Sequence, residues 1–311
     1  AATLGANSAG TSIATAGSHQ AAYGGNPGDA YLVKFNSAGV RQWGTYYGGT
    51  AEDQGYGVAV VGATVYLGGD TQSPNAIATA GAYITVPPGA GDLFLVNFNS
   101  AGVRQWATYF GGTAREEIGR VTTDNIGDVY ISGDTYSNGI AIGGYQTVHG
   151  GTAENGILAK FSSAGLFICS TFYGQSEAGV DEEYGSVAVD QSTNDVYLSG
   201  RTASNTGMAA GGHDNTYNGA DDTYLVKFTP CANPLPINLL SFTANCKNNA
   251  TVYLEWSTAS ETNNDYFTVE RSADGSSWET AGIVDGAGNA STTLNYEFID
   301  ACPLSFGEAY Y

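Results

Sequence analysis

The feature that most constrains the fold is an internal repeat in the first part of the chain. Residues 35–51 (FNSAGVRQWGTYYGGTA) recur at 98–114 with two differences, and a looser third copy, FSSAGLFICSTFYGQS, begins at Phe161. An apolar segment ends at the first residue of each copy, and a fourth such segment lies further along the chain. These segments, AYLVKF, LFLVNF, GILAKF and TYLVKF, start at residues 30, 93, 156 and 223. Near-constant spacing of this kind predicts a fold built from one repeated supersecondary unit.

Each repeat is interpreted as four short strands. The segments GYGVAV (55–60) and TVYLGGDT (64–71) predict one hairpin, with later counterparts ending in DVYISGDT (128–135) and DVYLSGRT (195–202). After a long Gly/Ala/Thr-rich connection, Asn-Ser-Ala-Gly joins the two strands of a second hairpin, because Asn favours turn entry and Gly accepts a positive φ. Four antiparallel strands per unit are typical of β-propeller blades, so residues 1–229 are predicted to be all-β propeller repeats.

The pattern DAYLVKFNSAG…TYYGG…GYGVAV…VYLGGDT resembles the bacterial β-propeller repeats labelled SBBP. This resemblance extends from residue 1 to about residue 230 and implies an extracytoplasmic protein with no established catalytic site. About four blades are sampled. The first starts inside its second strand and the last stops after TYLVKF (223–228), so the outer two are expected to be incomplete, and a closed ring is not expected from this chain alone.

A second domain follows a proline-rich linker at 230–236. Alternating apolar segments and Trp256 on the second of them predict an immunoglobulin-like sandwich over residues 237–311. Asp274-Gly275 is a strong hairpin-turn signal. The predicted strands are residues 237–244, 251–259, 266–274, 278–286 and 294–300.

Three segments of this domain, PLPINLLSFTA, EWSTASETNNDYFTVERSADG and VDGAGNASTTLNYEFID, are similar to a fibronectin type III-like module found near the C-termini of Bacteroidetes surface proteins. Family members continue past the final Tyr-Tyr into one or two further strands, often followed by a type IX secretion signal. The resemblance therefore implies a sandwich without its last strands, whose open edge needs cover from another chain.

Composition narrows the classes of partner. Thirty acidic against ten basic residues give a net charge of −20, which disfavours nucleic acid. The sequence contains no run of about 18 apolar residues, so it predicts no membrane-spanning helix. The first residues lack the basic end and apolar core of a signal peptide, as expected for a mature exported chain or for a fragment.

Acidic clusters are the first candidates for chemistry. Glu52-Asp53, Glu116-Glu117 and Asp181-Glu182-Glu183 recur at one phase of the repeat, which favours solvated loops between blades. A weak Ca²⁺ site is the alternative, while a glycosidase would need two facing carboxylates about 5 to 10 Å apart. Asp70 and Asp134 are interpreted as turn formers. We therefore predict no catalytic, cofactor-binding or metal-binding residue, and no enzyme activity.

Histidines do not change that prediction. His19 and His213 occupy the repeat position held elsewhere by Tyr83 and Tyr145, which favours packing over a metal or base role. His149 is expected in a loop. The sequence contains no Ser-His-Asp pattern, GxSxG elbow, HExxH motif or phosphate-binding loop.

The four cysteines are too few for a disulfide-built scaffold, and none has the CxxC spacing of a zinc site. Cys169 is aligned with the glutamine of the repeated RQW triplet and interpreted as a buried thiol. A disulfide between Cys246 and Cys302 is expected, with Cys231 free or the alternative partner.

Glycosylation is a further possibility raised by short motifs. Asn249-Ala-Thr and Asn289-Ala-Ser match the N-glycosylation pattern. Thr71, Thr135 and Thr223 each follow Asp and are similar to O-glycosylation sites of the Bacteroidetes group.

The sequence thus predicts a non-enzymatic, extracellular or cell-surface protein with a structural or adhesive role. Its expected partners are copies of itself, in a filament assembled by strand complementation, or other surface proteins and glycans. Two alternatives stay open: a fragment of a larger secreted protein whose propeller binds carbohydrate or another ligand through exposed aromatic residues, or an accessory region of a hydrolase.

Overall fold

The structure is a computed structural model of the 311-residue chain, which divides into two compact units, Ala1–Cys231 (unit 1) and Ala232–Tyr311 (unit 2). It describes the chain except for residues 1, 9–12, 26, 151–153, 175–181, 205–207, 209, 220, 230–236, 248–250, 274, 291 and 302–309. Only the backbone is described at strand residues 2–8, 182–185, 237, 238, 247, 260, 262, 263, 265 and 289. The predicted linker lies outside the described residues.

The described part of unit 1 is built from strands and loops. No described helix of either unit is long and apolar enough to cross a membrane. The strands are β1 Ala2–Ser8, β2 Asp29–Phe35, β3 Arg41–Tyr47, β4 Asp53–Val61, β5 Thr64–Thr71, β6 Asp92–Asn99, β7 Arg104–Phe110, β8 Glu116–Thr123, β9 Val129–Thr135, β10 Asn155–Phe161, β11 Phe167–Tyr173, β12 Glu182–Val189, β13 Val196–Thr202 and β14 Asp222–Phe228.

These strands form four antiparallel sheets in chain order. The first sheet is β1-β2-β3, the second β4-β5-β6-β7, the third β8-β9-β10-β11 and the fourth β12-β13-β14. The all-β prediction is therefore confirmed, and both predicted hairpins of each complete repeat are present. The described residues do not close into a ring or barrel.

The Asn-Ser-Ala-Gly segment folds as the predicted turn between the third and fourth strands of a sheet. Oδ1 of Asn36 accepts hydrogen bonds from the backbone N–H groups of Ala38 and Val40, at 3.0 and 2.9 Å. Gly39 has a φ of +75°, and Gly102 and Gly165 repeat that left-handed conformation at +81° and +86°. The turn therefore needs a side-chain oxygen at its first residue and glycine at its last. The third copy supplies the oxygen from Ser162, whose Oγ accepts from the Leu166 N–H at 3.1 Å.

Neighbouring sheets pack face to face through the alternating side chains of their central strands. In β6, Phe94 and Val96 join the core against the first sheet, whereas Leu93 and Leu95 join the core against the third. All four side chains are fully buried. A similar core lies between the third and fourth sheets, so each inner sheet is apolar on both faces.

Unit 2 contains β15 Ile237–Lys247, β16 Thr251–Arg271, β17 Glu279–Ala290 and β18 Leu294–Asp300. The first half of β16 pairs with β15 and β18, and its second half pairs with β17. The sequence prediction of two separate strands at 251–259 and 266–274 is therefore wrong. One long strand serves both pairings because register shifts near Glu261 and Asn264 bend it without ending it.

Glu261 holds that bend together. Its carboxylate, 2 % exposed, accepts hydrogen bonds from Thr258 Oγ1, Asn264 Nδ2, the Ala287 backbone N–H and the Tyr296 hydroxyl. Burial opposes ionisation, but these donors outweigh it and lower the pKa of Glu261 to about 2. Nearby, Trp256 stacks on Tyr296 with ring centroids 5.6 Å apart. The carboxylate thus ties three strands of unit 2 to one point.

We predict that Glu261→Gln lowers the free energy of unfolding of unit 2 by about 2 kcal/mol at pH 7, because the amide cannot accept from all four donors. The carboxylate's contribution is present above the ordinary pKa of 4.5 and is lost as the pH falls towards about 2. Calorimetry of the full chain at pH 7 and pH 3 measures both effects. A variant equal to the wild type at pH 7 would contradict this role.

Candidate functional site

A tryptophan on the fourth strand of one sheet contacts the turn of the next sheet. The indole Nε1 of Trp43 donates to the Ser100 carbonyl at 3.1 Å, and Trp106 repeats the contact with the Ser163 carbonyl at 2.9 Å. The Trp43 ring lies against Gly102, where a Cβ would come within 3.0 Å of it. The verbatim NSAGVRQW repeat therefore encodes both halves of one contact, which we call the tryptophan lock.

Cys169 occupies the tryptophan position in the third sheet. Lys34 pairs with Trp43, Asn97 with Trp106, and Lys160 with Cys169. The sequence alignment of Cys169 with the glutamine of RQW was therefore wrong by one residue. An ungapped alignment of the three copies already places Cys169 under Trp43 and Trp106, and the bulge at the start of each fourth strand is common to all three. The side chain is 2 % exposed.

The disulfide prediction also needs correction. Cys169 is disulfide-bonded, so the interpretation as a buried thiol is wrong. Cys246 is a free, exposed cysteine, so the expected pair with Cys302 is wrong as well. The edge-strand position of Cys246 in β15 leaves its side chain in solvent. Residues 231 and 302 lie outside the described part of the chain.

A cavity of about 230 Å³ lies where a tryptophan would stand between the third and fourth sheets. Replacing an indole with a smaller cysteine side chain leaves room that no other described side chain fills. The wall is mainly apolar and aromatic, which suits a planar ring. Its lining includes Tyr130, Leu158, Lys160 and Cys169 of the third sheet and Val196 and Phe228 of the fourth.

The strand β14 holds the third-strand position of the fourth sheet, but no described strand lies beyond it. Its counterparts β6 and β10 each pair with a fourth strand and are buried almost throughout. Leu225 of β14 is 74 % exposed, whereas the corresponding Leu95 and Leu158 are 0 % and 6 % exposed. Among the described residues, no strand therefore pairs with the outer edge of β14, and Leu225 is exposed there between the exposed Thr223 and Lys227.

Acidic side chains meet in pairs between neighbouring sheets, at the strand ends opposite the tryptophan lock. Asp29 of β2 and Asp53 of β4 both lie against Gly48, and Asp92 of β6 and Glu116 of β8 both lie against Gly111. All four acidic side chains are 0–1 % exposed. The interpretation of these acidic clusters as solvated loops is thus wrong for Asp53 and for Glu116.

These carboxyl groups are hubs for loop hydrogen bonds. Glu116 accepts from the Gly112 N–H at 2.9 Å and from Thr135 Oγ1 at 2.7 Å, and Asp53 accepts from the Gly49 N–H at 2.8 Å. Burial raises the pKa of Asp53 to about 6. Burial, and then the adjacent Glu116, raises the pKa of Asp92 to about 7, and burial also raises the pKa of Glu116. The third sheet carries the neutral Asn155 at the Asp92 position.

The other acids of these clusters lie on the opposite side of their strands. Asp70 accepts from the Ile118 N–H at 3.2 Å, and burial raises its pKa to about 7, with Glu117 and Glu52 acting in the same direction. Asp70 and Asp134 belong to β5 and β9, so their interpretation as turn formers is wrong. Residue 181 and the side chains of Glu182 and Glu183 lie outside the described part of the chain.

Two of the three histidines make packing contacts, whereas the packing expected for His213 is contradicted by its exposure. The His19 ring lies 5.8 Å from the rings of Tyr47 and Phe98, and burial followed by the nearby Arg104 lowers its pKa. His149 lies in a loop, as predicted, but it is buried against Phe172. His213 is exposed. Within the described residues, no three His, Cys, Asp or Glu side chains come close enough together to hold a metal ion.

The candidate glycosylation sites differ in exposure. Thr71 and Thr135 are 2 % and 0 % exposed and hydrogen-bonded to the buried carboxylates, so a glycan at either site is excluded in the folded protein. Thr223 is exposed. Residue 249 and the side chain of Asn289 are outside the described part of the chain.

The candidate site is therefore the edge of β14 together with the adjoining cavity. The sequence analysis noted that TYLVKF has no QWGTYY partner but assigned no site residues there. A residue-by-residue alignment that placed Cys169 under Trp106 would have found the cavity side of this site.

We predict that Asp92→Asn stabilises unit 1 by about 1–2 kcal/mol at pH 8, because it removes a buried carboxyl group that must ionise. A raised pKa means that the Asp92 contribution is present below the ordinary value of 3.8 and is lost as the pH rises through about 7. Wild type and variant should therefore be equally stable at pH 4. Urea unfolding followed by tryptophan fluorescence at both pH values tests this.

The reverse substitution, Asn155→Asp, is the matched control and should lose stability with rising pH, since Asn155 is 1 % exposed. A loss of stability in Asp92→Asn at pH 8 would show that the acid pair is ionised and stabilising.

We also predict that Cys169→Ser lowers the free energy of unfolding of unit 1 by about 2–4 kcal/mol under oxidising conditions, because the disulfide is lost. Cys246→Ser should have no effect, since that thiol is exposed and free. Thermal unfolding with and without a reductant measures the difference. If the reductant fails to bring the wild type to the stability of Cys169→Ser, the disulfide does not act as stated.

No protein-family model matches the chain, and no curated protein matches it. The function is therefore argued from the chemistry of the site. The site offers backbone hydrogen-bonding groups along β14, an aromatic cavity beside them and the exposed side chain of Leu225.

Proposed function

We propose that this chain is a non-enzymatic, extracellular structural or adhesive protein to which other chains bind by adding a strand to β14. In a filament, that strand comes from the next copy of the chain. The observation that carries the proposal is the outer edge of β14, beside which no described strand lies, whereas its counterparts in the second and third sheets each pair with a fourth strand. Strand addition to an exposed edge is a common mode of protein association.

The architecture assigned in this proposal follows the resemblances of the sequence. Unit 1 is a set of propeller-type blades of the SBBP kind, and unit 2 is a fibronectin type III-like module. Two successive four-stranded antiparallel sheets, flanked by two three-stranded ones, support the first assignment, and a bent strand shared by two sets of partners supports the second.

Two further observations support the proposed class and location. The buried acids Asp53, Asp92 and Glu116 are sealed between sheets, which gives a substrate no access to them. Cys169 is disulfide-bonded, as is typical of chains in oxidising compartments outside the cytoplasm. The exposed Leu225 side chain offers apolar area to a docking chain, and the edge of β14 offers it backbone hydrogen bonds.

We predict that inserting a second copy of residues 99–110 directly after Phe228 abolishes self-association. The insert supplies a turn and a fourth strand in the register that β7 has with β6, so it occupies the edge of β14 from within the chain. Wild-type protein should form filaments in negative-stain electron microscopy and oligomers in analytical ultracentrifugation. The completed variant should be monomeric at the same concentration.

An insert with the same residues in scrambled order is the matched control and should still assemble. Filaments formed equally well by the completed variant would contradict strand addition at β14. A wild-type chain that stays monomeric at high concentration would contradict the filament proposal.

A further inference from the structure

Four aromatic rings meet at the boundary between the second and third sheets. Tyr83 stacks on Phe167, the first residue of β11, with centroids 4.3 Å apart and planes at 10°. Phe161 lies 6.0 Å from Tyr83, 5.9 Å from Phe110 and 5.6 Å from Phe167. The first residue of a fourth strand therefore closes this cluster.

Three of the four rings recur at the boundary between the third and fourth sheets. Tyr145 and Phe228 are 6.0 Å apart, and Tyr173 and Phe228 are 5.6 Å apart with perpendicular planes. These values match the Tyr83–Phe161 and Phe110–Phe161 contacts. The position of Phe167 has no counterpart among the described residues, since no fourth strand lies beside β14.

The boundary between the first and second sheets shows the same arrangement with another closing residue. His19, Tyr47 and Phe98 lie 5.8 Å from one another. Arg104, the first residue of β7, adjoins them and contributes to the lowered pKa of His19. A fourth-strand residue thus completes the cluster at both earlier boundaries. Arg104 completes a cluster containing His, and Phe167 completes one containing Tyr.

We propose that Tyr145, Tyr173 and Phe228 form a recognition pocket for the strand that binds β14, and that this strand begins with an aromatic residue, phenylalanine by correspondence with Phe167. This inference rests on the proposed strand addition and specifies its partner. Tyr145 corresponds to Tyr83, so an aromatic closing residue fits better than arginine.

The exposure of the rings agrees with this assignment. Tyr145 is 79 % exposed, whereas its counterpart Tyr83, which Phe167 covers, is 39 % exposed. The cavity of about 230 Å³ adjoins Tyr145 and Phe228 and leaves room for the incoming side chain. Offset-stacked and perpendicular ring pairs at these distances are favourable beyond the area that they bury.

The test uses the full chain and two labelled peptides. The first peptide has the sequence of residues 165–174 with Cys169→Ser, and the second carries Phe167→Ala in addition. Fluorescence anisotropy should show that the alanine peptide binds about tenfold more weakly, because it cannot close the ring cluster. Tyr145→Ala in the protein should weaken binding of the first peptide by about the same factor and leave binding of the alanine peptide unchanged.

Tyr83→Ala is the matched control, since its cluster is already closed, and it should leave the affinity for both peptides unchanged. Equal affinity of the two peptides for the wild type would overturn the recognition pocket while leaving strand addition intact. Binding of neither peptide would also overturn the pocket, and the assembly behaviour of the completed variant then decides strand addition separately. Tyr145 is exposed, so its substitution should not unfold the chain.

Discussion

The contact between a fourth-strand tryptophan and the turn of the following sheet is the interaction on which the order of unit 1 depends. Trp43 and Trp106 each use their apolar ring for packing and their single N–H for a backbone carbonyl in the turn of the next sheet. Each contact joins residues 57 positions apart, so one repeat can close only against the next. A hairpin alone is marginally stable in water, whereas stacked repeats bury a continuous core.

The acid pairs complete this arrangement at the other end of the strands. Asp29 with Asp53, and Asp92 with Glu116, bridge the same pairs of sheets that the tryptophans join. Burial raises the pKa of Asp53 to about 6 and that of Asp92 to about 7, which makes this end of the boundaries sensitive to pH near neutrality. Asn155 removes one charge at the third sheet, so the boundaries are copies in geometry but not in electrostatics.

Local patterns were enough to predict the strands, the hairpins and the Asn-Ser-Ala-Gly turn, because period-two alternation and turn chemistry are properties of neighbouring residues. The buried acids could not be predicted in this way. Glu116 and Glu117 are adjacent and chemically alike, and only packing decides which one points between sheets. The position of Cys169, in contrast, can be read from the sequence, because Cys169 follows Phe161 at the same spacing at which Trp43 follows Phe35.

At the boundary between the third and fourth sheets, the described residues lack the tryptophan contact of the earlier boundaries. The third sheet carries a disulfide-bonded Cys169 in place of the tryptophan, so this position has no indole ring to reach the turn of the next sheet. At the same boundary no described ring occupies the position of Phe167, and no described strand lies on the outer side of β14. Tyr145 and Leu225 are both exposed at this boundary, and exposed apolar side chains beside a strand edge favour association unless they are covered. A strand bound to β14, as proposed, would cover both side chains.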